Sequence, residues 1–436
     1  MSEAVTSVGL QRDAFDAFVQ SRNEPGWLRD QRHEAWRKFE SLPWPSQRDE
    51  EWMRTDIRMF HLDKFGFPVE ANRAASIADG LLTRGVRLGG HTAALDSRPH
   101  SSRLAEKWAS RGVLFGSLDE LVAEHSDLVK RHLFHAVDRF QDKFAALHAA
   151  TWSGGTLLYV PRGVVIDEPL HMLSALSAGA SDFGHALVIL EEGAEAALLA
   201  ETASLAHESA GLHCGAIELV VGPRARLRYV NLQNWATGVW HFAHQKARVE
   251  AGGSLQWTIA ALGSRLAKVN QHVALAGADA KAQVNGVMFT EGKQHLSYHT
   301  LQHHEAPSCR SDLLYKIALQ DRSRTVWRGM IKVDPAAQRT DGYQRADNLM
   351  LSDHARSDSI PGLEILADDV RCTHGSTTGR VDDEQIFYAR CRGLTRNEAV
   401  RMVVAGFFQQ VFDRITIESV REALGEAIGR RIREYD

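Results

Sequence analysis

From Gly154 onward the chain runs in short apolar stretches, each closed by a turn that contains glycine. The turn glycines at 163, 193, 222, 252 and 277 are separated by 30, 29, 30 and 25 residues, an interval that points to a stacked repeat. After several turns the residues alternate as a strand does. Leu255, Trp257 and Ile259 fall on one face and Ser254, Gln256 and Thr258 on the other. Ala280, Ala282 and Val284 alternate likewise with Lys281, Gln283 and Asn285. Linkers long enough for βαβ crossovers are missing between these strands. That leaves a β-sandwich of hairpins or a parallel β-helix. The near-constant interval favours the β-helix, because hairpin turns recur at shorter spacing.

The flanks follow a helical period. Before residue 150, Phe15, Phe18 and Val19 are spaced for one helix face, and Trp27, Leu28, Ala35, Trp36 and Phe39 continue the pattern until Pro43 and Pro45 break it. Leu118, Leu121, Val122, Leu128, Leu133, Phe134 and Val137 repeat the signal. Near the other end, Thr395 and Glu398 form a capping-box pair ahead of Ala399, Met402, Val403 and Gly406. Ile417, Val420, Leu424 and Ile428 mark a last amphipathic helix. The expected architecture is mainly β, with a helical region over 1–150, a β-helix core over 151–381 and a helical region over 382–436.

Composition narrows the function. The 436 residues carry a formal net charge of −4, with basic residues interspersed among acidic ones, which argues against a nucleic-acid binder. No apolar run is long enough to span a membrane, and the first ten residues lack the form of a secretory signal, so a cytoplasmic protein is expected. Cys214, Cys309, Cys372 and Cys391 are scattered without a CxxC pair and read as free thiols. The chain has no G-x-x-x-x-G-K-[ST], since Gln294 follows Gly292-Lys293, and no dinucleotide fingerprint, nucleophile elbow or HExxH zinc motif. It is expected to bind no nucleotide of its own and to catalyse no classical turnover.

The candidate chemistry lies in Ala367-Asp368-Asp369-Val370-Arg371-Cys372-Thr373-His374-Gly375, read as the end of a strand. Residues at i and i+2 of a strand share a face, so Cys372 and His374 project together. Thiolate and imidazole are favoured ligands of soft and borderline metals. Two ligands hold no metal alone, so a site here needs another segment or another protein. The alternative is a small buried thiol beside a surface imidazole. A second group, His295, His299, His303 and His304 with Cys309 nearby, stands out among the 21 histidines. On a strand its first three members lie about 13 Å apart in successive steps, too far for one mononuclear site, and a structural role is the simpler reading. Cys391 lies between two arginines and is read as packing in a helix, and Cys214 as core.

From Gly329 to Phe408 the sequence resembles the SufB/SufD family of iron–sulfur cluster assembly proteins. The resemblance rests on Ala337-Gln338-Arg339-Thr340-Asp341, Asn348-Leu349-Met350-Leu351-Ser352, Ile360-Pro361-Gly362-Leu363-Glu364-Ile365, Ala367-Asp368-Asp369-Val370, Cys372-Thr373-His374-Gly375, Phe387-Tyr388 and Arg392-Gly393. Glu24-Pro25-Gly26-Trp27-Leu28, Leu42-Pro43 and Glu51-Trp52-Met53-Arg54-Thr55-Asp56 are similar to the SufD branch. Residues 70–140 and 170–290 match loosely. Ser376, Thr378 and Cys391 depart from the usual Ala, Val and Ser.

The resemblance implies a right-handed parallel β-helix between helical ends. It also implies a scaffold that pairs edge to edge with its paralogue SufB and binds the ATPase SufC through residues 382–436. For an isolated chain the alternative is pairing with a copy of itself. His374, with Cys372 beside it, would hold a transient, nascent iron–sulfur cluster shared with SufB. Three other readings stay open: a SufB-like subunit of the same system, a metal-binding β-helix protein outside it, and a β-helix carbohydrate enzyme.

Overall fold

The computed structural model describes every residue except 1–8, 69–76, 79 and 433–436. Its centre is a parallel β-solenoid built from two ten-stranded sheets. Glu195, Arg226, Ser254, Lys281, Arg310, Asp341 and Arg371 stack in one column of partners, so each coil takes up roughly 30 residues. The β-helix expected from the turn interval is therefore the fold, and the β-sandwich is not.

Period-two patterning sends alternate residues inward. Trp257, Tyr298, Tyr315 and Trp327 come from both sheets and are fully buried between them. Their outward neighbours meet the helices. Helices Arg12–Gln20, Gly26–Ser41 and Lys143–Thr151 set Phe15, Trp36 and Phe144 against Leu212, Trp240 and Phe242 of one sheet. Helices Asp383–Cys391, Arg396–Phe412 and Glu418–Gly429 cover Val287, Phe289, Leu314 and Ala318 of the other. Thr395 and Glu398 form the capping box, each side chain accepting the other residue's backbone N–H.

Strands also occur inside the span read as helical. Gly90–Leu95 runs parallel to Leu170–Leu176 and so belongs to the solenoid, and Arg98–Leu104 pairs with it antiparallel. Leu114–Ser117 closes the other sheet against Thr156–Val160, also antiparallel. The hairpin turn Asp96-Ser97 has positive φ at both residues, which matches a primed turn built without glycine. Ser97 is held there by its hydroxyl, which donates to Ser153 O and accepts the Phe183 N–H.

The two ends of the solenoid differ. The first coils are closed by antiparallel strands and backed by helices. At the other end, Arg356–Ile365 and Val370–Arg380 are the terminal strands of their sheets.

Candidate functional site

Cys372 and His374 lie on the terminal strand Val370–Arg380, near its start and not at a strand end as read from the sequence. The parallel register pairs Cys372 with Gly342 and His374 with Gln344 on the preceding strand. Gln344 faces the solenoid interior, where its amide Nε2 donates across to Gly362 O at 2.9 Å and Gly329 O at 3.4 Å on the opposite sheet. Residues in register on neighbouring strands share a face. Cys372 and His374 therefore both continue the interior face, at a point where, among the described residues, no further coil covers it. Two residues apart on a strand, they stand roughly 7 Å from each other.

Their surroundings differ. Cys372 is half-buried against Ile331, Val333, Ala337 and Ala367. A Cβ at Gly342 would come within 3.3 Å of its Sγ, so the glycine leaves the thiol its room. Burial pushes the Cys372 thiol above its ordinary value; a backbone hydrogen bond with Gly342 opposes this and the charge of Asp341 adds to it. His374 is exposed. Among the described residues no three His, Cys, Asp or Glu side chains converge to hold a metal ion. The pair thus offers one thiol and one imidazole, fewer donors than a closed four-ligand site needs. Near it Leu363, Ile365 and Leu366 are exposed, Leu366 to 54%, interleaved with the exposed Glu364, Asp368, Asp369 and Arg371.

Of the second histidine group, His299, His303 and His304 have hydrogen-bonding partners, and the buried Nε2 of His295 has none among the described residues. His295, His299 and His303 share the outer face of one strand, as expected. His299 Nδ1 lies 2.6 Å from Glu51 Oε2, and His303 Nε2 lies 3.0 Å from Asp334 Oδ1. His304 points inward, where its Nε2 meets Ser311 Oγ at 2.8 Å. Cys214 and Cys309 are buried. Cys391 corrects the packing expectation: it is exposed at the end of its helix, because the helical period turns Ile386 and Ala389 inward instead. That helix also presents Phe387 and Tyr388 at 69% and 62% exposure, and Met402 is exposed on the next helix. Phe387 and Tyr388 are adjacent in sequence and both leave the core, which makes this helix a candidate contact surface.

Two family models match, the SufBD protein N-terminal region over residues 15–172 and the SUF system FeS cluster assembly SufBD core domain over 172–407. The chain belongs to the SufBD family. Among its relatives, an iron–sulfur cluster assembly SufBD family protein of Staphylococcus aureus strain MRSA252 is 25% identical over 426 residues, covering 94% of this chain and 90% of that protein. Its counterpart in Staphylococcus haemolyticus strain JCSC1435 is 26% identical over the same shares. SufBD membership supports a role in the SUF system of iron–sulfur cluster assembly. The core-domain match takes in both Cys372 and His374, and ends within the C-terminal helices.

Sequence reasoning found the pair but not its setting. Gly342 and Gln344, which shape the floor beneath it, carry no signal of their own in one sequence. Only the register assigns them.

Proposed function

We propose that this chain is the SufD-type scaffold subunit of a SUF complex, and that a nascent iron–sulfur cluster is built where its uncapped solenoid end meets SufB. The observation that carries this reading is the pair itself: two metal-ligating side chains, and only two, on a terminal strand at the open end. Two donors on an edge make half a site. A paralogue of the same fold, pairing along the terminal strands, would supply the other half and satisfy the unpaired sheet edges. The exposed Leu363, Ile365 and Leu366 favour such a contact.

Iron and sulfur are the cargo, and no turnover belongs to this chain. His374, exposed, is the ligand offered directly, and Cys372 is a neighbouring thiol that burial keeps protonated until the interface forms. The nucleotide site is supplied by the ATPase SufC, docked on Phe387, Tyr388 and Met402. The complex works in the cytoplasm, away from nucleic acid and membrane. The test is anaerobic reconstitution of the complex of this chain with SufB and SufC, comparing wild type with His374→Ala. Cluster retention like that of wild type in the variant would overturn the site assignment.

A further inference from the structure

The outer face of the sheet beneath the C-terminal helices changes character along a single column. Leu232, Ala260 and Val287 occupy one position on successive strands, all buried under those helices. The next three residues of the same column are Lys316, Asp347 and Thr377. The column thus passes from apolar to charged as it approaches the terminal strand.

Asp347 is the centre of this end. Lys316 Nζ donates to its Oδ2 at 2.7 Å, and Thr377 Oγ1 donates to its Oδ1 at 2.6 Å. Arg345 Nε donates to the same Oδ1 at 2.9 Å. Lys316 and Asp347 are 8% and 3% exposed. Above them, the Lys316 ammonium lies 4.8 Å from the ring centroid of Phe407, on helix Arg396–Phe412. Thr377 belongs to the strand that carries Cys372 and His374. One carboxylate therefore joins the helix layer to that strand.

Stability does not account for this choice. A buried ion pair stabilises no better, as a rule, than apolar residues of similar volume, and the three preceding strands fill the same column with Leu232, Ala260 and Val287. A charged pair does hold its partners in one geometry, and releases them when one is moved. We infer that Asp347 is a positioning residue that couples helix Arg396–Phe412 to strand Val370–Arg380. A partner that draws the helix away lifts Phe407 from Lys316, loosens the grip on Asp347 and frees Thr377. The strand bearing the two ligands then opens at its far end. The inference rests on the reading of the helices as a docking surface and of Cys372 and His374 as ligands.

Chain continuity through Val381 and Asp382 also links helix and strand, so the test isolates the column. Hydrogen exchange of the backbone amides in 370–380 is measured by mass spectrometry on the purified full chain, for wild type and Phe407→Ala. The same pair is then measured with the column made apolar by Lys316→Met and Asp347→Leu, and thermal unfolding checks that each protein is folded. Phe407→Ala should speed exchange in this strand roughly tenfold in the natural column and change it by less than about twofold in the apolar one. Equal acceleration in both backgrounds would overturn the inference. Should the apolar column fail to fold, Asp347→Asn replaces it, since the amide still accepts from Thr377 but carries no charge for Lys316. The Phe407→Ala effect should shrink in that background, and an undiminished effect would again overturn the coupling. Exchange requires neither cluster nor partner, so failure here is separate from failure of the reconstitution.

Discussion

Gln344 and His374 occupy the same column on neighbouring strands, yet one is sealed inside the solenoid and the other stands in solvent. The Gln344 amide spends its donors on Gly329 and Gly362 of the facing sheet, and so ties the two sheets together one coil below the end. Among the described residues no such coil lies above His374.

This contrast separates stability from function at His374. An exposed side chain without a cap, core or buried-charge role costs within about 0.5 kcal/mol when truncated. His374→Ala should therefore leave the urea unfolding midpoint of the isolated chain unchanged. In the reconstituted complex the same variant should lose most of its cluster, read from the visible absorbance under anaerobic conditions. A lowered midpoint would show that the imidazole is structural after all.

The floor of the site is less forgiving. A Cβ at Gly329 would lie 2.3 Å from the Trp327 ring and 2.5 Å from Gln344 Oε1, with both side chains enclosed. Overpacking of this kind costs about 1–3 kcal/mol, so Gly329→Ala should lower the urea midpoint clearly. At Gly375, where a new Cβ would meet nothing within 4 Å, the alanine variant should unfold like wild type. Equal midpoints for the two variants would contradict the packing described beneath the pair.

The turn glycines show how much of this was legible and why the rest was not. Gly163, Gly193 and Gly252 have positive φ, whereas Gly222 and Gly277 are glycines because a Cβ would strike the backbone of the coil below. Two different causes thus produced one rhythm, and the rhythm revealed the solenoid. Past residue 277 Gly292 keeps a glycine at a left-handed turn position, but Asp279, Ser308, Asp321 and Arg339 take the others, so the glycine signal fades while the coils continue. The early strands were hidden similarly, since Asp96-Ser97 makes its hairpin turn without glycine. Of the site, the i, i+2 spacing of Cys372 and His374 was readable. That the pair ends a stack, and that Asp347 lies between Lys316 and Thr377, depends on partners about 30 residues away in sequence.

Burial sets the pH response of Cys372. Its thiol is pushed above the ordinary value of 9.0, and the thiolate is the reactive form. In a Cys391→Ser background, which removes the exposed thiol, alkylation of Cys372 should be slow at neutral pH and still rising at pH 9. The sign follows for stability as well. A group whose proton is held more tightly in the folded state contributes below its unfolded value, and that contribution fades as pH climbs through the folded one. An alkylation rate that levels off below pH 9 would show that the thiol is not held protonated by its surroundings.

Phe387 and Tyr388 offer the sharpest separation of docking from folding. They extend from the same helix whose Ile386 and Ala389 are buried, so truncating them removes almost no core. Phe387→Ala and Tyr388→Ala should each leave unfolding within about 0.5 kcal/mol of wild type. If this surface receives the ATPase, exposed aromatics are the anchors, and the double variant should weaken ATPase binding at least about thirtyfold, the effect of losing roughly 2 kcal/mol. Phe408→Ala provides the contrast. That ring is fully enclosed between helix and sheet, and its loss should cost about 3–5 kcal/mol of folding stability. Titration calorimetry with the ATPase, run beside urea unfolding of each variant, distinguishes the two effects. Wild-type affinity in the double variant would move the docking surface off these helices, and with it the mechanical connection through Phe407 and Asp347 to the strand that carries His374.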